Sequence, residues 1–466
     1  MSETFAAAPW IASSVPKGGF VHRHEFVLDR AVDPVEAAAA LRGPERVMLT
    51  CGDPAAGGST LLYAGELAVC ADAPGVEPEL DGTGDALGAA VDFLATLCFP
   101  GTADPKEQSW VGFLGYDAVR GFERLPDRAD PVGPCYEFFL PRVLVRFEPA
   151  RTVVVGRGPT AQQAAYAAAE ARDALLAGGL TPNPARRIGE AVFSLDFAQY
   201  EERVRRAKQH IVDGDVFQLV LSLSCRAEAE FDGLAVYRDL AAINPSPYQY
   251  WFRGPQFEAL GCSPEPCLLL GDGRALIRPL AGTRPRGADP AADARAEQEM
   301  RASEKERAEH RMLVDLARND LGRVCVPGSV RVPRLMDVER YSHVMHLTSD
   351  VVGAIAPGRR VDDLIRATFP AGTMTGAPKI RAMEIIDELE PAARGLYSGA
   401  VGSFGLEHID LYLTIRGLTL RDGQVALQAG GGIVYDSDPL EEYRECLAKL
   451  SATARAAGLD LAGGAR

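Results

Sequence analysis

Four glutamates at matched spacing are the first candidates for chemistry in this 466-residue chain. Glu306 and Glu309 lie in SEKERAEHRMLVDLARND, and Glu442 and Glu445 in DPLEEYRECLAKL. Both segments are helical in pattern, and an i, i+3 spacing puts each pair on one helix face. Two such faces brought together offer what Mg²⁺ takes: one or two carboxylates, with water and a substrate oxygen completing the shell. The same spacing also suits a solvated face, and 294–311 is rich in charge. Cations and small residues accompany the carboxylates. PLAGTRPRG (279–287) sets Gly282 and Thr283 beside Arg284 and Arg286. QAGGGIVYDSDP (428–439) has three successive glycines, where backbone can approach a ligand closely. LTIRG supplies Arg416 from a strand, and Lys449 follows Glu445 by four residues. His346, three residues after His343, and Tyr397 in RGLYSGAVGSFG are the remaining candidates for proton transfer or hydrogen bonding.

The segment FPAGTMTGAPKIRAMEIIDELE (369–390) must hold one end of any such site. A loop punctuated by Gly372 and Gly376 runs into Pro378, expected at the first helical position, and then a helix with Ile380, Met383 and Ile386 on one face. The free N–H groups of that first turn would seat a carboxylate, with Thr373 and Thr375 adding hydroxyl donors. From Asp196 to Val212, apolar residues at Phe197, Tyr200, Val204, Ala207 and Ile211 predict a helix stopped by Gly214. VFQLVLSL then alternates, with Phe217, Leu219, Leu221 and Leu223 on one face. Gln218 is the one amide on the other, apolar or small, face. Further strands are expected in ALIRPLAG, DLYLTIRGLTL and QVALQAGGGIVY. Upstream, RVMLTC, STLLYAGELAVCA and RTVVVGRG read as short strands, and Thr160 to Ala177 as an alanine-rich helix. The turn-rich connector GGLTPNPARRIGE divides the chain into regions 1–190 and 191–466. Strands without strict βαβ alternation give an α+β class.

Composition narrows the function. The net charge of −15 argues against nucleic acid and anionic membranes as partners, so an anionic substrate needs local cations, helix N-termini or a metal. Nine cysteines without a CxxC indicate a reducing compartment, not a disulfide framework. MSETFAAAPW lacks a basic region followed by an apolar core, and a cytoplasmic location is expected.

Together these segments resemble the chorismate-utilising enzymes, and most of all the large subunit of anthranilate synthase (component I). NPSPY, CSPEP, PLAGTRPRG, EHRMLVDLARNDLGRV, ERYSHVMHL, FPAGTMTGAPKIRAMEIIDELEP, QAGGGIV and DSDP…E occur in family order, densely over 191–458 and more faintly through SWVGFLGYDAVRGFERLP (109–126). The resemblance implies a β-sandwich-like core of mainly antiparallel strands wrapped by helices, and Mg²⁺-dependent chemistry on chorismate. By motif, Glu309 and Glu445 would ligate Mg²⁺, with Glu306 and Glu442 alongside. Tyr397, Arg416, Gly430, Gly432 and Lys449 would bind the enolpyruvyl end and its carboxylate. Thr283 and Thr373 would flank the ring, and His346 would serve the acid–base step.

The resemblance also divides by nucleophile. Isochorismate and salicylate synthases carry a lysine that activates water at the position of Gln218, and an amide cannot do this, so ammonia is expected. Ala281 stands where some aminodeoxychorismate synthases carry a nucleophilic lysine, which favours amination at C2 and anthranilate as product. Aminodeoxychorismate, aminodeoxyisochorismate and a non-catalytic metabolite-binding homologue are the alternatives. Leu411 and Tyr412 replace small residues near the substrate arginine, and Ser224 replaces an arginine. The LLES-like tryptophan motif is not evident around Val47–Cys51, and Gln249 replaces a methionine of that pocket. A separate glutamine amidotransferase subunit is expected to deliver ammonia, because the chain ends at Arg466 soon after the last catalytic helix. An oligomer is compatible with all of this.

Overall fold

The computed structural model describes residues 21–461 except 42–45, 53–59, 66, 72–85, 101–103, 127–134, 179–180, 256 and 342–343. His343, the N-terminal decapeptide and part of the connector at 178–190 therefore lie outside the described residues. Among the described residues the strands form two antiparallel sheets, one of thirteen strands and one of ten. Aromatic residues from both, among them Phe113, Phe139, Tyr248, Phe252 and Tyr412, fill the space between them. Helices cover the outer faces. Pro34–Ala40, Ala161–Ala177, Gly233–Ile243 and Pro439–Ala457 pack on the larger sheet, and Ala86–Thr96, Glu304–Gly322 and Val361–Thr368 on the smaller. This is the expected α+β sandwich wrapped by helices.

Both sheets cross the position near residue 190. Arg46–Cys51 pairs with Tyr248–Arg253 in the larger sheet, and Trp110–Leu114 with Ala400–Phe404 in the smaller. The regions 1–190 and 191–466 thus share two continuous hydrogen-bonded layers.

Local patterns explain most of the elements. Asp196 caps the helix Phe197–Val212 in a capping box with Gln199, and the stripe Tyr200, Val204, Ala207 is buried. The strand following it starts at Gln218, and Phe217, expected to share the face of Leu219, is instead 73% exposed before the strand begins. Pro378 is the N-cap of Lys379–Leu389, not its first residue, because Gly376–Ala377 is held as a short strand against Gln218–Leu219. DLYLTIRGLTL is two strands in different sheets. Ile409–Leu413 belongs to the smaller and Gly417–Arg421 to the larger. Arg416 stands at the crossing with φ +54°, so it does not project from a strand as expected. A left-handed backbone is the geometry that turns a chain sharply between layers.

Candidate active site

The helix Glu304–Gly322 begins at Ser303, whose hydroxyl accepts from the Glu306 N–H. Burying His310, Leu313, Val314 and Ala317 leaves the Glu306/Glu309 face at the edge of the core. Glu306 accepts from Arg284 Nη1 at 2.7 Å, and its other oxygen is buried beside Gly282 with no hydrogen-bond partner. Glu309 accepts from Gln218 Nε2 at 3.2 Å. Burial pushes the Glu309 carboxyl above its ordinary value, against the Gln218 bond and the charges of Lys305 and Lys449, while Glu445 adds to the rise. Gln218 Oε1 is also buried and unpartnered.

The second acidic pair lies on Pro439–Ala457, a helix capped by Asp438. Burial raises Glu442 and the nearby Glu445 charge raises it further. Glu445, more exposed, pairs with Lys449 Nζ at 2.6 Å, and the same ammonium donates to Gly430 O at 2.7 Å. The strands Gln218–Phe231 and Gln424–Ile433 pair with Val220 opposite Gly432 and Ser222 opposite Gly430. A Cβ on Gly432 would overlap the Gln218 amide and come within 3.7 Å of Glu309, and one on Gly430 would press on the Tyr397 hydroxyl at 2.9 Å. The glycines therefore let the chain's own functional side chains converge. Among the described residues no three His, Cys, Asp or Glu side chains form a metal cage by themselves. Glu309 and Glu442 nonetheless each feel the charge of Glu445 and are both desolvated, as suits an ion that takes its other ligands from water and substrate.

Thr283 and His346 face each other across paired strands. His346 Nδ1 lies 3.1 Å from Thr283 Oγ1 and 3.1 Å from Gly282 O. A carbonyl can only accept, so Nδ1 carries the proton and Nε2 keeps its lone pair. Burial, helped by the Arg416 charge, lowers the His346 pKa, so the ring is a neutral base at pH 7. Arg416 makes no hydrogen bond or ion pair through its guanidinium among the described residues, yet burial lowers its pKa. A desolvated guanidinium without a partner is a natural receptor for a carboxylate. Tyr397 is partly buried beside Arg394, whose guanidinium is 5.6 Å from its ring centroid. Arg394 is itself fixed by both oxygens of buried Glu390 and by the carbonyls of Met374 and Val220.

Thr373, expected beside the substrate ring, lies against a further carboxyl group. Its hydroxyl donates to Glu265 Oε1 at 2.9 Å. Thr375, expected to donate outward, instead donates to the carbonyls of Ala371 and Gly372. Glu265 was not singled out in the sequence. Burial pushes its carboxyl up to about 8, partly offset by the Thr373 bond, so it holds a proton at neutral pH. The available signal was a lone carboxylate in the otherwise apolar GCSPEPCLLL. Leu411 and Tyr412, expected near the substrate arginine, are buried in the two cores, and Tyr412 stacks on Tyr248 with ring centroids 4.6 Å apart.

Residues 62–455 match the family model described as chorismate binding enzyme. The chain is 45% identical to anthranilate synthase component 1 of Streptomyces coelicolor over 451 residues, covering 91% of this chain and 86% of that relative. It is 44% identical to the component 1 of Thermus thermophilus, covering 76% and 78%. The crystal structure of anthranilate synthase component I from Streptococcus pneumoniae TIGR4 aligns at TM-score 0.70 and 29% identity, covering 92% of each chain. The menaquinone-specific isochorismate synthase of Escherichia coli aligns at TM-score 0.73 and 18% identity, covering 96% and 97%, a likeness of fold alone.

Proposed function

Because the chain belongs to the chorismate binding enzyme family, we propose that it aminates chorismate at C2 with ammonia and eliminates pyruvate to give anthranilate. The reaction balances as chorismate plus ammonia giving anthranilate, pyruvate and water. Arg416 and Lys449 bind the enolpyruvyl carboxylate, with Tyr397, Gly430 and Gly432 shaping its seat. The carboxylates of Glu309 and Glu445, with Glu442, would hold Mg²⁺. When bound, the ion withdraws charge through the ring carboxylate as a Lewis acid. Glu306, held by Arg284, stays beside Gly282 and the Thr283–His346 pair.

Glu265 gives its proton to the departing C4 hydroxyl, oriented by Thr373. Ammonia attacks C2 while an N–H donates to the unpaired Oε1 of Gln218. His346 Nε2 then removes the C2 proton. The ring aromatises as the C3–O bond breaks, and enolpyruvate takes up a proton to become pyruvate.

The observation that carries this reading is the Gln218–Glu309 hydrogen bond. It fixes a non-basic amide beside the carboxylates, so a nucleophile must arrive already able to attack, as ammonia is. Stopping at aminodeoxyisochorismate is less well supported, since Leu411 and Tyr412 pack into the cores and leave the elimination geometry alone. A separate glutamine amidotransferase subunit supplies the ammonia, and the protein acts in the cytoplasm. No described helix is long and apolar enough to cross a membrane. Incubation with chorismate, Mg²⁺ and ammonium tests the proposal. Pyruvate equal to chorismate consumed, with a fluorescent ortho-amino acid, is expected. A para-amino product after addition of a lyase would refute amination at C2.

A further inference from the structure

The chemistry assigned above leaves Arg394 without a task, although its side chain is only 1% exposed. A buried guanidinium is costly unless its charge is paired and its N–H groups find acceptors. All five do. Nε donates to Glu390 Oε2 at 2.9 Å, and Nη2 to Glu390 Oε1 at 2.7 Å and Val220 O at 2.8 Å. Nη1 donates to Met374 O at 2.7 Å and to the Ser398 hydroxyl at 3.3 Å.

The two carbonyls are the informative partners. Val220 lies two residues beyond Gln218 on the strand Gln218–Phe231, and Met374 follows Thr373 in the turn Gly372–Met374. Both oxygens are acceptors and cannot bond each other, so the fork between them ties turn to strand. The neck of the same loop is closed by Lys379, whose Nζ donates to Thr368 O and to Asp320, both at 2.8 Å. Its tip is held by Arg394. What the tip carries is the Thr373 hydroxyl, which donates to Glu265 Oε1 at 2.9 Å.

We propose that Arg394 is a positioning residue for the acid of the reaction: by holding Met374 O and Val220 O together it keeps the Thr373 hydroxyl on Glu265. This rests on the assignment of Glu265 as that acid. Glu390 serves one layer further out. It grips Arg394 with both oxygens, and its Oε1 accepts from the Ser222 N–H at 2.8 Å and the Ser222 hydroxyl at 2.7 Å. Lysine would keep the charge but not the fork, since one nitrogen cannot serve Glu390, Val220 O and Met374 O in these directions.

The Thr373 bond favours the carboxylate form of Glu265 and works against burial, so loosening the turn should raise the pH at which Glu265 gives up its proton. The other titratable groups beside Glu265 do not act in this way. Burial pushes the Cys267 thiol up to about 12, which keeps it neutral, and Asp320 and Lys379 neutralise each other.

The test reads Glu265 through folding stability, without substrate. Denaturant midpoints are measured with and without Glu265→Gln in three backgrounds, the wild type, Arg394→Lys and Thr373→Val. In the wild-type background the gap between the paired chains should stop widening near pH 8. In Arg394→Lys and in Thr373→Val it should go on widening to about one pH unit higher. Combining those two variants should add little, because both break the same bond. With chorismate, Mg²⁺ and ammonium, Arg394→Lys should lose about tenfold or more in kcat, out of proportion to any rise in KM, and its alkaline limb should move up with the stability window. If Arg394→Lys does not fold, Ser222→Ala, which strips a bond from the Glu390 oxygen that holds Nη2, serves in its place and should move the window the same way. A folded variant of lower stability whose window stays near pH 8 would make Arg394 a structural residue only and overturn the proposal. If the window moves but the wild type makes no anthranilate, the link from Arg394 to Glu265 stands and the reaction assigned to the site falls.

Discussion

Replacing Glu265 by glutamine keeps the shape of the side chain and the acceptor for the Thr373 hydroxyl while removing the proton that the carboxyl holds. Burial raises this carboxyl from its ordinary 4.5 to about 8. Between those two pH values the folded chain binds one more proton than the unfolded chain, so stability is lost as pH rises through the window. Each pH unit is worth about 1.36 kcal/mol, and the 3.5 units between 4.5 and 8 give a full penalty of about 5 kcal/mol. Glutamine has no such titration. From pH 6 to pH 8 the Glu265→Gln chain should therefore gain about 2.3 kcal/mol over the wild type, since the slope is about 1.36 kcal/mol per unit near pH 6 and falls to half of that at pH 8. Denaturant midpoints of both chains, measured at pH 6, 7 and 8, read this difference directly. Turnover should move the opposite way. The variant loses about 10²- to 10⁴-fold in kcat, the range of a general acid, and the wild type declines as pH rises past about 8. A stability gap that stays constant with pH refutes the buried, protonated carboxyl. A variant that retains full kcat refutes its role as the acid.

Mg²⁺ should raise the thermal midpoint of the wild type, and Glu309→Ala and Glu445→Ala should each abolish both turnover and that rise; an unchanged rise in either variant argues against that ligand. With chorismate and Mg²⁺ but no nitrogen source, neither isochorismate nor salicylate should form, because Gln218 cannot deprotonate water, and chromatographic detection of isochorismate would overturn the assignment. His346→Met should let the aminated intermediate accumulate while its formation survives, as mass spectrometry would show. Since burial lowers the His346 pKa, the wild type should keep the elimination step down to pH values below 6.5. L-Tryptophan should leave the rate unchanged at millimolar concentration, since no LLES-like motif is evident around Val47–Cys51 and Gln249 replaces a methionine of that pocket; inhibition that saturates would contradict this.

Much of the site is legible from spacing because helices and strands have fixed periods. Glu306 and Glu309 share a face because they are three residues apart on one helix, and Glu442 and Glu445 follow the same rule. The alternation around Gln218 and the run of Gly430 to Gly432 identify a strand pair where side chains and backbone meet closely, and the motifs in their order identify the family. What the chain alone leaves open is set by contacts between distant segments. The Gln218–Glu309 bond, the alignment of Thr283 with His346 and the reach of Lys449 to Gly430 depend on sheet register and helix docking. Arg416 reads as a strand residue, yet it turns at positive φ because the chain passes there from one sheet to the other. Phe217 reads as core, but the ladder starts one residue later. Glu265 is the sharpest case. Its chemistry comes from desolvation, and desolvation is a property of everything packed around a residue and not of its neighbours in sequence.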